Sequence, residues 1–113
     1  MTMYLISFPA AAMVIAPEEY DAVSEASHTV IREAKAAGVY VFGGGLNDTV
    51  SPVRVAADGT LTPGSYPQTE QLDGGFCVLS LPNRDDAVAW AARLAEACRC
   101  PQDLREFFFD PES

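Results

Sequence analysis

The chain has 113 residues, 49% hydrophobic and 20% charged, with seven basic side chains against sixteen acidic ones for a net charge of -9. That length suits a single domain spanning residues 1–113 with one hydrophobic core, and the composition excludes an intrinsically disordered chain. Direct DNA or RNA binding is disfavoured, because phosphate backbones are held by clustered Lys and Arg, and here six arginines and Lys35 are scattered.

The N-terminal run MTMYLISFPAAAMVIA is apolar but is interrupted by Pro9, and the first basic residue is Arg32. A secretory leader needs a positive start and an unbroken apolar stretch, and a membrane helix needs about twenty apolar residues. The run therefore reads as a buried strand and a loop, and the expected location is the cytoplasm. Cys77, Cys98 and Cys100 fit a reducing compartment better than a disulfide framework. One histidine and a C-x-C pair fall short of the four ligands of a zinc site, so no metal is expected. Nothing in the chain asks for a cofactor.

In chain order, Met3–Phe8 has the aromatic and branched residues of a short strand ended by Pro9. Pro17-Glu18-Glu19 opens a helix, with Pro at its first position and acids at the positive end of the dipole. Tyr20, Val23, Ser27, Val30, Ala34 and Ala37 recur at helical spacing as its buried face, and Gly38 ends it. Val39–Phe42 is a second strand, closed by the glycine triplet 43–45. Val50–Ala57 alternates as a half-buried strand, and Asp58-Gly59 turns it back through Thr60–Thr62. Gly74–Leu81 is the most apolar strand and is expected at the centre. Asn83 caps a second helix, with Asp85 and Asp86 in its first turn. The buried face of that helix is Ala87, Val88, Ala91, Leu94 and Ala95, with Trp90 beside it; Leu104–Phe109 forms the last strand.

The order β-α-β-β-(β)-β-α-β predicts an α+β domain of split βαβ, ferredoxin-like type. In that plan both helices cover one side of the sheet. The other side needs a cover, since large apolar patches are rarely left exposed. A homodimer joined through the open sheet face is the expected cover.

Several short motifs stand in this same order: Ala36-Ala37-Gly38-Val39 with Gly43-Gly44-Gly45-Leu46, Thr62-x-Gly64-x-Tyr66, Gly74-Gly75-Phe76, and Asp86–Arg93. Together they span nearly the whole chain and resemble the YCII-related family, specifically its DGPF-domain branch. The resemblance implies a dimeric α+β barrel, mostly bacterial and cytoplasmic, of unestablished function. Some members of the family occur beside extracytoplasmic-function sigma factors, and distant relatives of the fold include small isomerases and monooxygenases. The branch signature, Thr-Asp-Gly-Pro-Phe-x-Glu-Thr, falls on Thr62–Thr69. Thr62, Gly64 and Thr69 match and Tyr66 replaces the Phe, while Pro63, Ser65 and Gln68 replace the Asp, Pro and Glu. Both signature acids are thus absent, and Gln68 can hydrogen-bond but cannot act as a general base.

His28 is the only side chain whose ordinary pKa suits proton transfer near neutrality, and related proteins carry a functional histidine in the first helix. Its helical neighbours Asp21, Glu25, Arg32 and Lys35 place it on a polar face, which also describes an ordinary surface histidine. The candidate catalytic groups are His28, Asp48 and Tyr66; Arg54, Gln68 and Glu70 are candidate ligand-binding groups on the loops joining the middle strands. The triplet 43–45 lacks the Lys and Ser/Thr of a phosphate loop and reads as a turn or bulge bordering a pocket. The leading expectation is a small dimeric domain that binds a small molecule or a protein partner without established catalysis. The alternatives are an isomerase- or monooxygenase-like acid/base enzyme and an accessory to sigma-factor regulation.

Overall fold

A computed structural model describes residues 1–113. Its elements are β1 (Thr2–Ser7), α1 (Tyr20–Ala36), β2 (Tyr40–Gly45), β3 (Val53–Val55), β4 (Leu61–Pro63), β5 (Gly75–Leu81), α2 (Arg84–Cys98) and β6 (Asp103–Glu106). Four strands form one antiparallel sheet in the order β2-β5-β1-β6, and β3 and β4 pair separately as a hairpin. Two helices and this strand order make an α+β fold compatible with the ferredoxin-like plan.

The core sits between the helices and one face of the sheet. Tyr4 and Ile6 of β1 and Cys77, Leu79 and Leu81 of β5 alternate inward, as strand geometry dictates. They pack against Val30 and Ala34 of α1 and against Ala87, Ala91, Leu94 and Ala97 of α2. Small alanines on α2 let the two helices lie close together, and Glu33 of α1 pairs with Arg93 of α2 across their outer surface. Glu19, just ahead of α1, pairs in the same way with Arg99 beyond the end of α2.

The helix boundaries have local causes. A single 3₁₀ turn at Pro17–Glu19 leads into α1, and Gly38 leaves the helix with φ 75°. The Asn83 side chain accepts a 2.8 Å hydrogen bond from the Asp86 N–H, satisfying one of the free donors of the first turn of α2. Arg99 ends α2 in the left-handed region at φ 57°, a place where glycine is the usual choice.

Four details differ from the sequence expectation. The glycine triplet does not close β2 but continues it to Gly45, with an irregularity between Tyr40 and Phe42. The hairpin is shorter than Val50–Thr62, and Val53, Val55 and Leu61 are all exposed because no layer of the protomer covers it. The last strand stops at Glu106; the Phe107 N–H still bonds the Met3 carbonyl, but Phe108 and Phe109 stand in solvent at 96% and 81% exposure. Tyr20 and Val88, expected inside, are 61% and 49% exposed, while Ala97 and Cys98 take the inner positions at the end of α2.

Candidate functional site

A cleft of about 460 Å³ lies between α1 and the β2–β5 side of the sheet. The pairing of β2 explains why it exists. Tyr40 stands opposite Leu79, and then Phe42 stands opposite Val78, so Val41 is an extra residue that shifts the register. Beyond the shift, Gly43 lies opposite inward-facing Cys77 and Gly45 opposite Gly75. The two β2 positions that follow Tyr40 on the helix side therefore carry no side chain. Gly43 packs directly against Cys77, and at Gly45 the space that a strand side chain would fill is left open.

The helical wall is a stripe of α1 made by Ser24, His28, Ile31 and Lys35, at the i, i+4, i+7 and i+11 spacing of one helix face. Tyr40 supplies aromatic surface, and Gln102 supplies an amide from the approach to β6. The Lys35 ammonium lies 5.1 Å from the centroid of the Tyr40 ring, a cation–π contact. Burial, with a smaller contribution from Cys77, raises the Tyr40 pKa, so this phenol is a donor at neutral pH. The Cys77 and Cys98 thiols, also on the cleft wall, are each pushed up to about 11, first by burial and then by the neighbouring cysteine. A thiol held protonated in this way is a poor nucleophile at physiological pH.

Among the candidate groups, only His28 lines the cleft, at its exposed rim. No carboxylate lies within ion-pair distance of it. Asp48 is exposed in the turn after β2, where Asn47 Oδ1 accepts hydrogen bonds from the N–H and hydroxyl of Thr49. Arg54 and Tyr66 do come together: the guanidinium sits over the phenol ring at 4.6 Å, on the hairpin arm and away from the cleft. Gln68 and Glu70 are exposed on the same arm, at and just past the 3₁₀ turn Pro67–Thr69. The six groups thus fall into a rim histidine, a lone aspartate and an arm cluster, with no single constellation. No group of three or more His, Cys, Asp or Glu side chains is placed to hold a metal ion.

The segment Thr62–Thr69 has a structural role in the protomer. Thr62 pairs with Arg54 across the hairpin, and Gly64 turns the chain at φ 94° while its N–H bonds the Pro52 carbonyl. The expectation that the glycine triplet borders a pocket agrees with the geometry, as all three glycines line the cleft. Lys35, Tyr40, Ser24 and Gln102 were not singled out by sequence reasoning. The one available signal was the helical spacing from His28 to Lys35, which by itself describes a solvated face.

No protein-family model matches the chain, and no curated protein does. No helix is long and apolar enough to cross a membrane.

Proposed function

We propose that this protein is a small cytoplasmic domain that binds a small molecule in the cleft beneath α1, and that it works as a homodimer. The observation that carries the binding role is the cleft itself. Its volume of about 460 Å³ lies within the range of small-molecule sites, and its walls combine aromatic surface with a few polar groups, as such sites do. Binding without established catalysis is the better supported reading, because His28, Asp48 and Tyr66 occupy three separate places. The resemblance to the DGPF branch of the YCII-related family agrees with this, given Pro63 and Gln68 where its signature has acids.

A second copy is supported by the uncovered side of the sheet. Met3, Phe42 and Phe107 are large apolar residues exposed there or beside it, and Phe42 and Phe76 stack at 5.9 Å in tilted geometry on that face. An apolar hollow of about 260 Å³ between Leu5, Phe8, Leu46, Leu72 and Phe76 adds to it. The radius of gyration is 15.5 Å, against about 13 Å for a compact chain of this length. The hairpin and the C-terminal phenylalanines lack cover within the protomer, and a lone two-stranded hairpin is marginally stable. Face-to-face pairing of two sheets into an α+β barrel would cover all of these at once.

Cleft filling tests the binding role. Gly45 lines the cleft with nothing within 4 Å of where its Cβ would stand. Gly45→Leu is therefore expected to fold while occupying the ligand's space. Compounds that raise the melting temperature of the wild type in a metabolite screen should lose that effect on the variant. Retention of every such shift by Gly45→Leu would place binding elsewhere and overturn the proposal.

A further inference from the structure

We infer that the cleft is selective for a small organic anion with a flat apolar body, such as an aromatic or unsaturated carboxylate, with its charged end at Lys35 and His28. The inference rests on the binding role proposed above and narrows it to a chemical class.

The first argument is the charge distribution. Sixteen of the 113 residues are acidic, yet none of the twenty residues lining the cleft is Asp or Glu. The same lining holds the only lysine and the only histidine of the chain. In a protein of net charge -9, this cleft holds Lys35 and no carboxylate on its walls.

The second argument is the state of Lys35. Four of the arginines, Arg32, Arg93, Arg99 and Arg105, are neutralised by carboxylates, and Arg54 is taken by the Tyr66 ring. Lys35 has no carboxylate at ion-pair distance and rests over the Tyr40 ring instead. Of the α1 carboxylates near the stripe, Glu25 is engaged with Arg32 and Glu33 with Arg93, while Asp21 lies at the far end of the helix from Lys35 and does not line the cleft. The ammonium is thus held at the cleft by an aromatic face while its charge stays uncompensated by the protein. An incoming carboxylate meets no competing acid there, and a charge-assisted hydrogen bond is stronger than a neutral one.

The third argument is that no other group supplies negative charge. Burial keeps the Cys77 and Cys98 thiols and the Tyr40 phenol in their neutral forms at physiological pH. Tyr40 and Ile31 offer flat or apolar surface to the body of the ligand, and the β2 glycines allow it to approach the backbone closely. The net negative charge of the whole chain acts over distances that salt screens within about 10 Å, so the local cations decide selectivity at the site.

Calorimetric titration with benzoate, its neutral counterpart benzamide and the cation benzylamine tests the assignment. Benzoate is expected to bind about fivefold or more tightly than benzamide, with benzylamine weakest. Lys35→Gln should remove the benzoate preference, Lys35→Arg should keep it, and Arg84→Gln, which removes an equal charge outside the cleft, should leave it intact. Equal affinity for benzoate and benzamide, or an unchanged preference in Lys35→Gln, would overturn the anion assignment while leaving a small-molecule cleft in place. Absence of binding by all three probes, charged and neutral alike, would count against both the cleft and its selectivity.

Discussion

Gly43 and Gly45 lie on the same face of β2, two residues apart, and replacing each with alanine should have opposite effects. A Cβ at Gly43 would stand 2.6 Å from the Phe76 carbonyl oxygen, 2.7 Å from the Cys77 Cβ and 2.9 Å from its Cα. Ordinary contact begins near 3.4 Å, so β2 would have to move away from β5 by about 0.8 Å. Such a shift stretches ladder hydrogen bonds of ordinary length past about 3.5 Å, beyond useful geometry. Each backbone bond lost costs about 1 kcal/mol, and more where a buried group is left unpaired. Because β2 is an edge strand it can peel outward, which confines the damage to its own ladder. The expected loss is about 2–3 kcal/mol, or a melting temperature lower by roughly 8–12 °C for a domain of this size. At Gly45 a Cβ meets nothing within 4 Å and φ is outside the left-handed region. Alanine there should stabilise by about 0.5 kcal/mol through the unfolded chain. Circular dichroism melts of the two variants beside wild type are the assay. Gly43→Ala melting within about 2 °C of wild type, or Gly45→Ala falling as far as Gly43→Ala, would refute the account of how β2 shapes the cleft.

Asn83→Ala removes the cap of α2 and should cost about 1 kcal/mol, with Asn83→Asp retaining most of it, as read in urea midpoints. The buried thiols make stability depend on alkaline pH. Their folded pKa values, about 11, lie above the unfolded value of about 8.5. The contribution is therefore fully present below pH ~8.5 and is lost as pH rises through ~11, on the order of 2–3 kcal/mol per thiol. Cys77→Ala should flatten this decline, and an equal slope in wild type and variant would contradict it. Light scattering at micromolar concentration should give a dimer that Phe42→Lys shifts to monomer; wild type that is monomeric throughout would remove the proposed sheet-to-sheet contact.

Local signals in the sequence carry most of the fold. The helical spacing of Val23, Val30 and Ala34, the Asn83 cap and the alternation from Cys77 to Leu81 each act over a few residues, so they can be read without knowing the tertiary arrangement. Tyr20 and Ser27 share the helical spacing of the core but border the cleft and remain exposed or half-buried, because the glycines opposite leave nothing to pack on. Phe107–Phe109 look like a strand by composition, yet the ladder with β1 stops at Tyr4 and Glu106, and the last two rings stand in solvent. The cleft was the least legible part. It depends on one extra residue at Val41 that brings Gly43 and Gly45 to the helix side, and on α1 lying above them. Neither condition leaves a motif, so Lys35 reads in sequence as one more scattered charge.

The central claim, a small-molecule site beneath α1, is tested most directly by mapping backbone amide shifts in ¹H–¹⁵N NMR spectra during titration with benzoate. The account predicts saturable changes concentrated at Ser24–Lys35, Tyr40–Gly45 and Gln102, with the arm from Asp48 to Glu70 unmoved. Changes centred on Arg54 and Tyr66, or none at saturating ligand, would contradict it.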